Sequence, residues 1–145
     1  MGVILITGGS RGIGASTAEL CARKGMGVIL TYNSHPQAAQ ALVQRIETAG
    51  GKAVALPLDV ADVSSFEGFG EAVKQALSVT FGESGLSGLV NNAGFGLFNP
   101  LESVTEAQFD GLLNVHLKGP FFLTQALLPL LQAHACIVNL TSATT

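Results

Sequence analysis

Short apolar runs alternate along the chain with longer stretches in which apolar positions recur every three or four residues. The runs lie at residues 3–7, 28–32, 53–58, 86–91 and 137–141. They are of strand length and free of interior charge, whereas residues 13–24, 37–49, 63–81 and 106–132 have helical spacing. Boundary residues agree with this division. Asp62 is placed to cap a helix start, Thr105 and Gln108 have the spacing of a capping box, and Gly25 and Gly50 stand where C-caps belong. The last helical stretch is expected to break at Gly119 and Pro120, because proline is tolerated only at a helix start. Alternation of this kind predicts a parallel sheet joined by crossover helices. The first, fourth and fifth runs are almost unbroken, as in strands covered on both faces.

The first strand runs into Thr7-Gly8-Gly9-Ser10-Arg11-Gly12-Ile13-Gly14, after which a helix begins. Glycines at such a turn let the chain reverse sharply and let a pyrophosphate approach the backbone. The helix start then offers unpaired N–H groups and a partial positive charge. The spacing is TGxxxGxG rather than the commoner GxGxxG, and a tight turn with no ligand is the competing reading. With right-handed crossovers and a dinucleotide at this turn, the expected architecture is α/β, a Rossmann-like doubly wound parallel sheet of order 3-2-1-4-5. The fifth strand would be an edge made of Ile137, Val138, Asn139 and Leu140, with no charge or proline to blunt it. The expectation is therefore a single dinucleotide-binding domain over residues 1–145 that lacks later strands of its fold.

Composition narrows the partners. A chain of 145 residues that is 48% hydrophobic and 12% charged suits one domain with a real core. A formal net charge of −3 leaves no basic surplus for nucleic acid. Cys21 and Cys136 lie in separate apolar segments without CxxC or metal-ligand spacing, so they read as buried core thiols of a reducing compartment, and no metal site is expected. No apolar stretch reaches the roughly 18 residues of a membrane span. The N-terminal run has no basic stretch before it and reads as a strand rather than a signal peptide, which points to a cytoplasmic protein. His35 reads as solvent-facing, and His116 and His134 as incidental histidines near helix ends.

Further motifs recur with the glycine turn. Asp59-Val60 follows the third strand, Asn91-Asn92-Ala93-Gly94 follows the fourth, Asn114 opens Asn114-Val115-His116-Leu117-Lys118-Gly119, and Ser142 ends Leu140-Thr141-Ser142. In that order TGGSRGIG, DV, NNAG, NVHLKGPFFLTQ and IVNLTS resemble the classical short-chain dehydrogenase/reductase family over essentially the whole chain. The likeness is greatest to reductases of 3-oxoacyl thioesters and related ketones. It implies that Gly8, Gly12 and Gly14 line the pyrophosphate with Ile13 packed beside it. It also implies that Asp59 accepts from the adenine amino group while Val60 donates from its backbone, and that Asn91, Ala93 and Gly94 border the riboses. Ser10, Arg11, Tyr32, Asn33 and Ser34 complete the implied cofactor set. Plainer readings stand beside these: Asp59 as a turn former, Asn91 as a tie between strands, and Arg11 as a solvated loop charge.

Tyr32, Asn33 and Ser34 occupy the end of the second strand, where NAD-preferring folds carry an acid. None is acidic, and Arg11 could meet the extra phosphate, so NADP is expected over NAD. The resemblance also implies catalytic roles: Ser142 orienting a substrate carbonyl and Asn114 anchoring a proton-relay water. The alternatives are an ordinary loop serine and an asparagine that serves backbone groups at the helix break. The family's YxxxK pair is expected beyond Ser142, and the chain's one tyrosine, Tyr32, is followed four residues later by Pro36. The implied function is hydride transfer between NADP(H) and a small carbonyl or alcohol substrate by the full-length protein, a homodimer or homotetramer, with the 145 residues inactive alone. Competing readings are a non-catalytic dinucleotide-binding module, a truncated chain lacking turnover, and a flavin- or nucleotide-sugar-binding relative.

Overall fold

The computed structural model describes residues 1–142. Five parallel strands, β1 (Val3–Ile6), β2 (Gly27–Tyr32), β3 (Ala53–Pro57), β4 (Leu86–Asn91) and β5 (Leu131–Asn139), form one sheet in the order β3-β2-β1-β4-β5. The helices are α1 (Gly12–Arg23), α2 (Pro36–Thr48), α3 (Phe66–Ala76), α4 (Glu106–Leu113) and α5 (Gly119–Leu127). The doubly wound order read from the glycine turn is the order found.

Alternation along the central strands sends side chains to two cores. Val3, Leu5, Ile29 and Leu89 join Phe66, Phe69, Val73, Leu123 and Leu127 on the α3 and α5 side. Ile6, Val28, Leu30 and Val90 join Ala18, Ala39, Leu42 and Ile46 on the α1 and α2 side. Strands with both faces dry need apolar residues at every position, which is why β1 and β4 read as almost unbroken runs; β5, which reads the same way, is mostly exposed instead.

The boundary residues behave as their chemistry requires. Asp62 accepts from Ser64 N at 3.2 Å at the start of a short 3-10 turn, Val63–Ser65, ahead of α3. Thr105 and Gln108 form the complete capping box of α4. Gly25 and Gly50 adopt φ of +82° and +84° after α1 and α2, a backbone region that glycine enters without strain.

Three expectations are corrected. β5 begins at Leu131, not at residue 137, and α5 ends at Leu127 in a 3-10 turn, Leu128–Leu130, so helix does not reach residue 132. Gly119 and Pro120 do not interrupt the rod. A wide π turn, Asn114–Lys118, carries α4 into α5 and sets Pro120 in the first turn of α5. Cys136 is not buried: it lies exposed on β5, which pairs only with β4 among the described residues, while Cys21 is partly buried against the α1 and α2 core. No helix among the described residues is long and apolar enough to cross a membrane.

Candidate functional site

The carboxyl ends of β1, β2 and β4 are laced together by side chains of the motifs. Thr7, only 2% exposed, receives Asn92 N and Ala93 N on its Oγ1, each at 3.0 Å, and donates to Val90 O at 3.4 Å. Asn92 Nδ2 in turn donates to Thr7 O at 2.9 Å and Gly8 O at 3.1 Å. From the other side Thr31 Oγ1 accepts from Gly8 N at 3.1 Å, and Thr31 O accepts from Gly9 N at 2.9 Å. Gly14 closes the arrangement, since a Cβ there would overlap Gly8 O and Asn92 Nδ2. The glycine turn, the first turn of α1 and the segment after β4 are therefore one packed unit.

What that unit exposes is a helix start without a cap. Gly8 and Gly12 turn the chain with φ of +61° and +56°. Arg11, at the N-cap position of α1, makes no side-chain cap, and the first turn carries no acid. The leading N–H groups thus keep their hydrogen-bonding capacity and the dipole its positive end. A Cβ on Gly12 would meet nothing within 4 Å, so the space in front of the helix is open to a ligand. An anion of pyrophosphate size and charge fits these donors.

The open space belongs to a cleft of about 430 Å³. Gly8, Ser10, Arg11, Gly12 and Ile13 border it from the turn, and Tyr32, Asn33 and Ser34 from the end of β2. Asp59 and Val60 border it from the end of β3, and Ala93 and Gly94 from beyond β4. Two members of the sequence-derived set lie behind this wall. Gly14 is buried under the turn. Asn91 is 6% exposed and joins β4 to β5 by donating from Nδ2 to Asn139 Oδ1 at 2.8 Å, while its Oδ1 has no partner among the described residues. Asp59 serves a turn as well as the cleft, because its Oδ1 accepts from Ala61 N at 2.9 Å.

Asn114 opens the π turn, and its carbonyl accepts from Gly119 N five residues on. A Cβ on Gly119 would overlap both Val60 O and Asn114 O, so glycine lets α5 rest against the segment after β3 and brings this turn beside the cleft, which Val115 borders. Ser142 is exposed just past β5, where Leu140 N donates to Asn91 O at 3.0 Å and fixes the exit of the chain. A second, apolar cleft of about 700 Å³ lies between α5 and β5, with Phe121, Leu128, Ile137 and Leu140 in its walls. No group of three or more potential metal-ligating side chains occurs among the described residues.

A fold of this kind has known counterparts. The profile of the short chain dehydrogenase family matches residues 2–145. The chain belongs to this family. Among curated proteins, an uncharacterized oxidoreductase of Methylorubrum extorquens is 37% identical, over 99% of this chain and 55% of its own length. Elsinochrome reductase 1 of Elsinoe fawcettii is 37% identical over 85% of this chain and 44% of its own. Solved structures agree. An angucycline C-6 ketoreductase with bound NADP superposes with a TM-score of 0.93 at 32% identity, over 97% of this chain and 55% of that one. A metagenomic short-chain oxidoreductase in complex with NADP gives 0.86 at 33% identity, over 99% of this chain and 63% of that one. The chain spans about half the length of the curated relatives it matches.

Sequence reasoning left out Thr7, Thr31 and Asn92 as site residues, although Thr7 and Asn92 lie inside quoted motifs. Their partners are 23 to 86 residues away, and no local pattern records such contacts. His116, read as incidental, has a definite partner: its Nε2 lies 2.7 Å from Phe95 O.

Proposed function

We propose that the chain is the cofactor-binding part of an NADP(H)-dependent oxidoreductase acting on a carbonyl or alcohol substrate. The observation that carries the reading is the uncapped start of α1, packed against the Asn92 segment and facing a cleft that the ends of β1, β2, β3 and β4 all border. Bound there, the cofactor supplies a hydride to, or takes one from, the substrate carbon. The chain's own residues do the rest. The Gly12, Ile13 and Gly14 amides hold the pyrophosphate, and Asp59 and Val60 face the adenine. Ala93 and Gly94 lie along the riboses.

Preference for the phosphorylated cofactor rests on charge. Tyr32, Asn33 and Ser34 offer no carboxylate at the end of β2, and the exposed Arg11 borders the same cleft. A guanidinium matches a phosphate in two parallel hydrogen bonds, whereas a carboxylate here would repel it. The complexes of the relatives with NADP support this choice.

For the chemical step, Ser142 is assigned to orient the substrate oxygen and Asn114 to hold a water for proton transfer. The π turn at Asn114 supports its role, since such turns commonly mark functional positions. Tyr32, the chain's single tyrosine, lies at the β2 end of the cleft and has no part in proton transfer. A homodimer or homotetramer is the assembly proposed for the full-length protein. The exposed Phe109, Leu113, Leu117 and Phe121, spaced four apart along the α4–α5 rod, support it.

Dissociation constants for NADPH and NADH on the wild-type chain and on Arg11→Ala test the cofactor assignment. The expected result is tighter NADPH binding that weakens about 10-fold or more in the variant, as for a lost charge-assisted contact, with NADH almost unchanged. Tighter NADH binding, or equal losses for both, overturns it.

A further inference from the structure

His116 stands where the two clefts meet. Its ring borders the apolar cleft beside Leu117 and Phe121, while Gly94, Phe95 and Val115 next to it border the dinucleotide cleft. Nε2 lies 2.7 Å from Phe95 O and 3.3 Å from Phe95 N. One ring nitrogen cannot donate to the carbonyl and accept from the amide at once. In the tautomer protonated on Nε2 the ring donates to Phe95 O across the shorter contact.

Two further contacts seat the ring. It packs against the Phe95 side chain with centroids 5.7 Å apart and planes tilted by 45°. A Cβ on Gly94 would lie 2.5 Å from His116 Cε1, so only glycine at 94 lets the ring reach the main chain. The segment after β4 is thus held at two places. Asn92 and Ala93 are fixed to Thr7, and Phe95 is fixed to the π turn that begins at Asn114. Gly94, on the wall of the cleft, lies between these two anchors.

We propose that His116 is a positioning residue for the ribose and nicotinamide end of the dinucleotide cleft. It clasps the main chain at Phe95 from the π turn and holds the wall at Ala93 and Gly94 in shape before the ligand arrives. The inference rests on the dinucleotide reading above. Its energetic logic is preorganisation: a wall already fixed loses less freedom on binding than one the ligand must order. Because His116 is exposed and its partner lies in a loop, the clasp governs the wall more than the core.

The test compares NADPH with adenosine 2′,5′-bisphosphate, which keeps the adenine end of the ligand and lacks the nicotinamide ribose. Binding of both is measured on the wild-type chain, His116→Ala and His116→Gln, with urea unfolding of each. In His116→Ala the NADPH dissociation constant is expected to rise about 10-fold, the loss from ordering two or three loop residues on binding, while the bisphosphate constant and the unfolding midpoint stay nearly unchanged. Glutamine, whose amide nitrogen can donate to Phe95 O, is expected to recover most of the loss. Equal weakening of both ligands, or no weakening of NADPH, overturns the assignment. If the wild-type chain binds neither ligand, the dinucleotide reading itself fails, an outcome distinct from the other two.

Discussion

Thr7 shows how much of the site hangs on single atoms. Its hydroxyl receives two amides from the segment after β4 and has almost no contact with solvent. Thr7→Val keeps the shape and removes the acceptor, leaving Asn92 N and Ala93 N without it. Burying unsatisfied donors costs roughly 1–3 kcal/mol, so the urea midpoint should fall with an unchanged m-value. An unaltered midpoint would mean that these amides find other partners. Cys21 makes a prediction in pH. Burial against the α1 and α2 core raises its thiol above the ordinary value of 9.0, so the folded chain holds this proton more tightly than the unfolded chain. Stability from this source is fully present below that value and is lost as pH rises through the folded pKa. Unfolding measured from neutral to alkaline pH should therefore show a steeper decline for wild type than for Cys21→Ala.

At the scale of elements, local chemistry explains most boundaries, and one can be removed cleanly. Thr105 Oγ1 accepts from Gln108 N at 3.2 Å, while Gln108 Oε1 accepts from Thr105 N at 3.0 Å. Thr105→Ala should cost about 1 kcal/mol and raise hydrogen exchange in the first turn of α4. The caps at Asp62, Gly25 and Gly50 were readable because each depends on residues no more than a few positions away. The misread boundary has a different cause. Leu131-Gln132-Ala133-His134-Ala135-Cys136 alternates apolar and more polar residues with the period of a strand. Taken with the helical spacing before it, the segment passed for helix, and β5 seemed to start only at its unbroken apolar run. Gly119 and Pro120 misled in the opposite direction. They do signal irregularity, but the rod absorbs it in a turn widened by one residue rather than breaking.

Across the whole molecule, the sheet order was legible because one turn fixes so much. A phosphate-binding glycine turn after the first strand places that strand at the centre, and the handedness of crossovers orders the others. The clustering of Arg11, Ser34, Asp59 and Gly94 around one cleft follows from that order alone, since all stand at carboxyl ends of strands. The exposure of Cys136 was not legible, because it depends on what lies across an edge strand and not on the apolar character of its neighbours. The contacts of Thr7, Asn92 and His116 were likewise hidden in pairings across the fold. The proposed function requires the amides at the start of α1 to bind the phosphates of a dinucleotide. Backbone amide NMR of the chain titrated with NADPH is the test: the largest shifts are expected at Gly12, Ile13 and Gly14, with saturation at one ligand per chain. Unmoved resonances at these three positions, whether or not other regions respond, would contradict it.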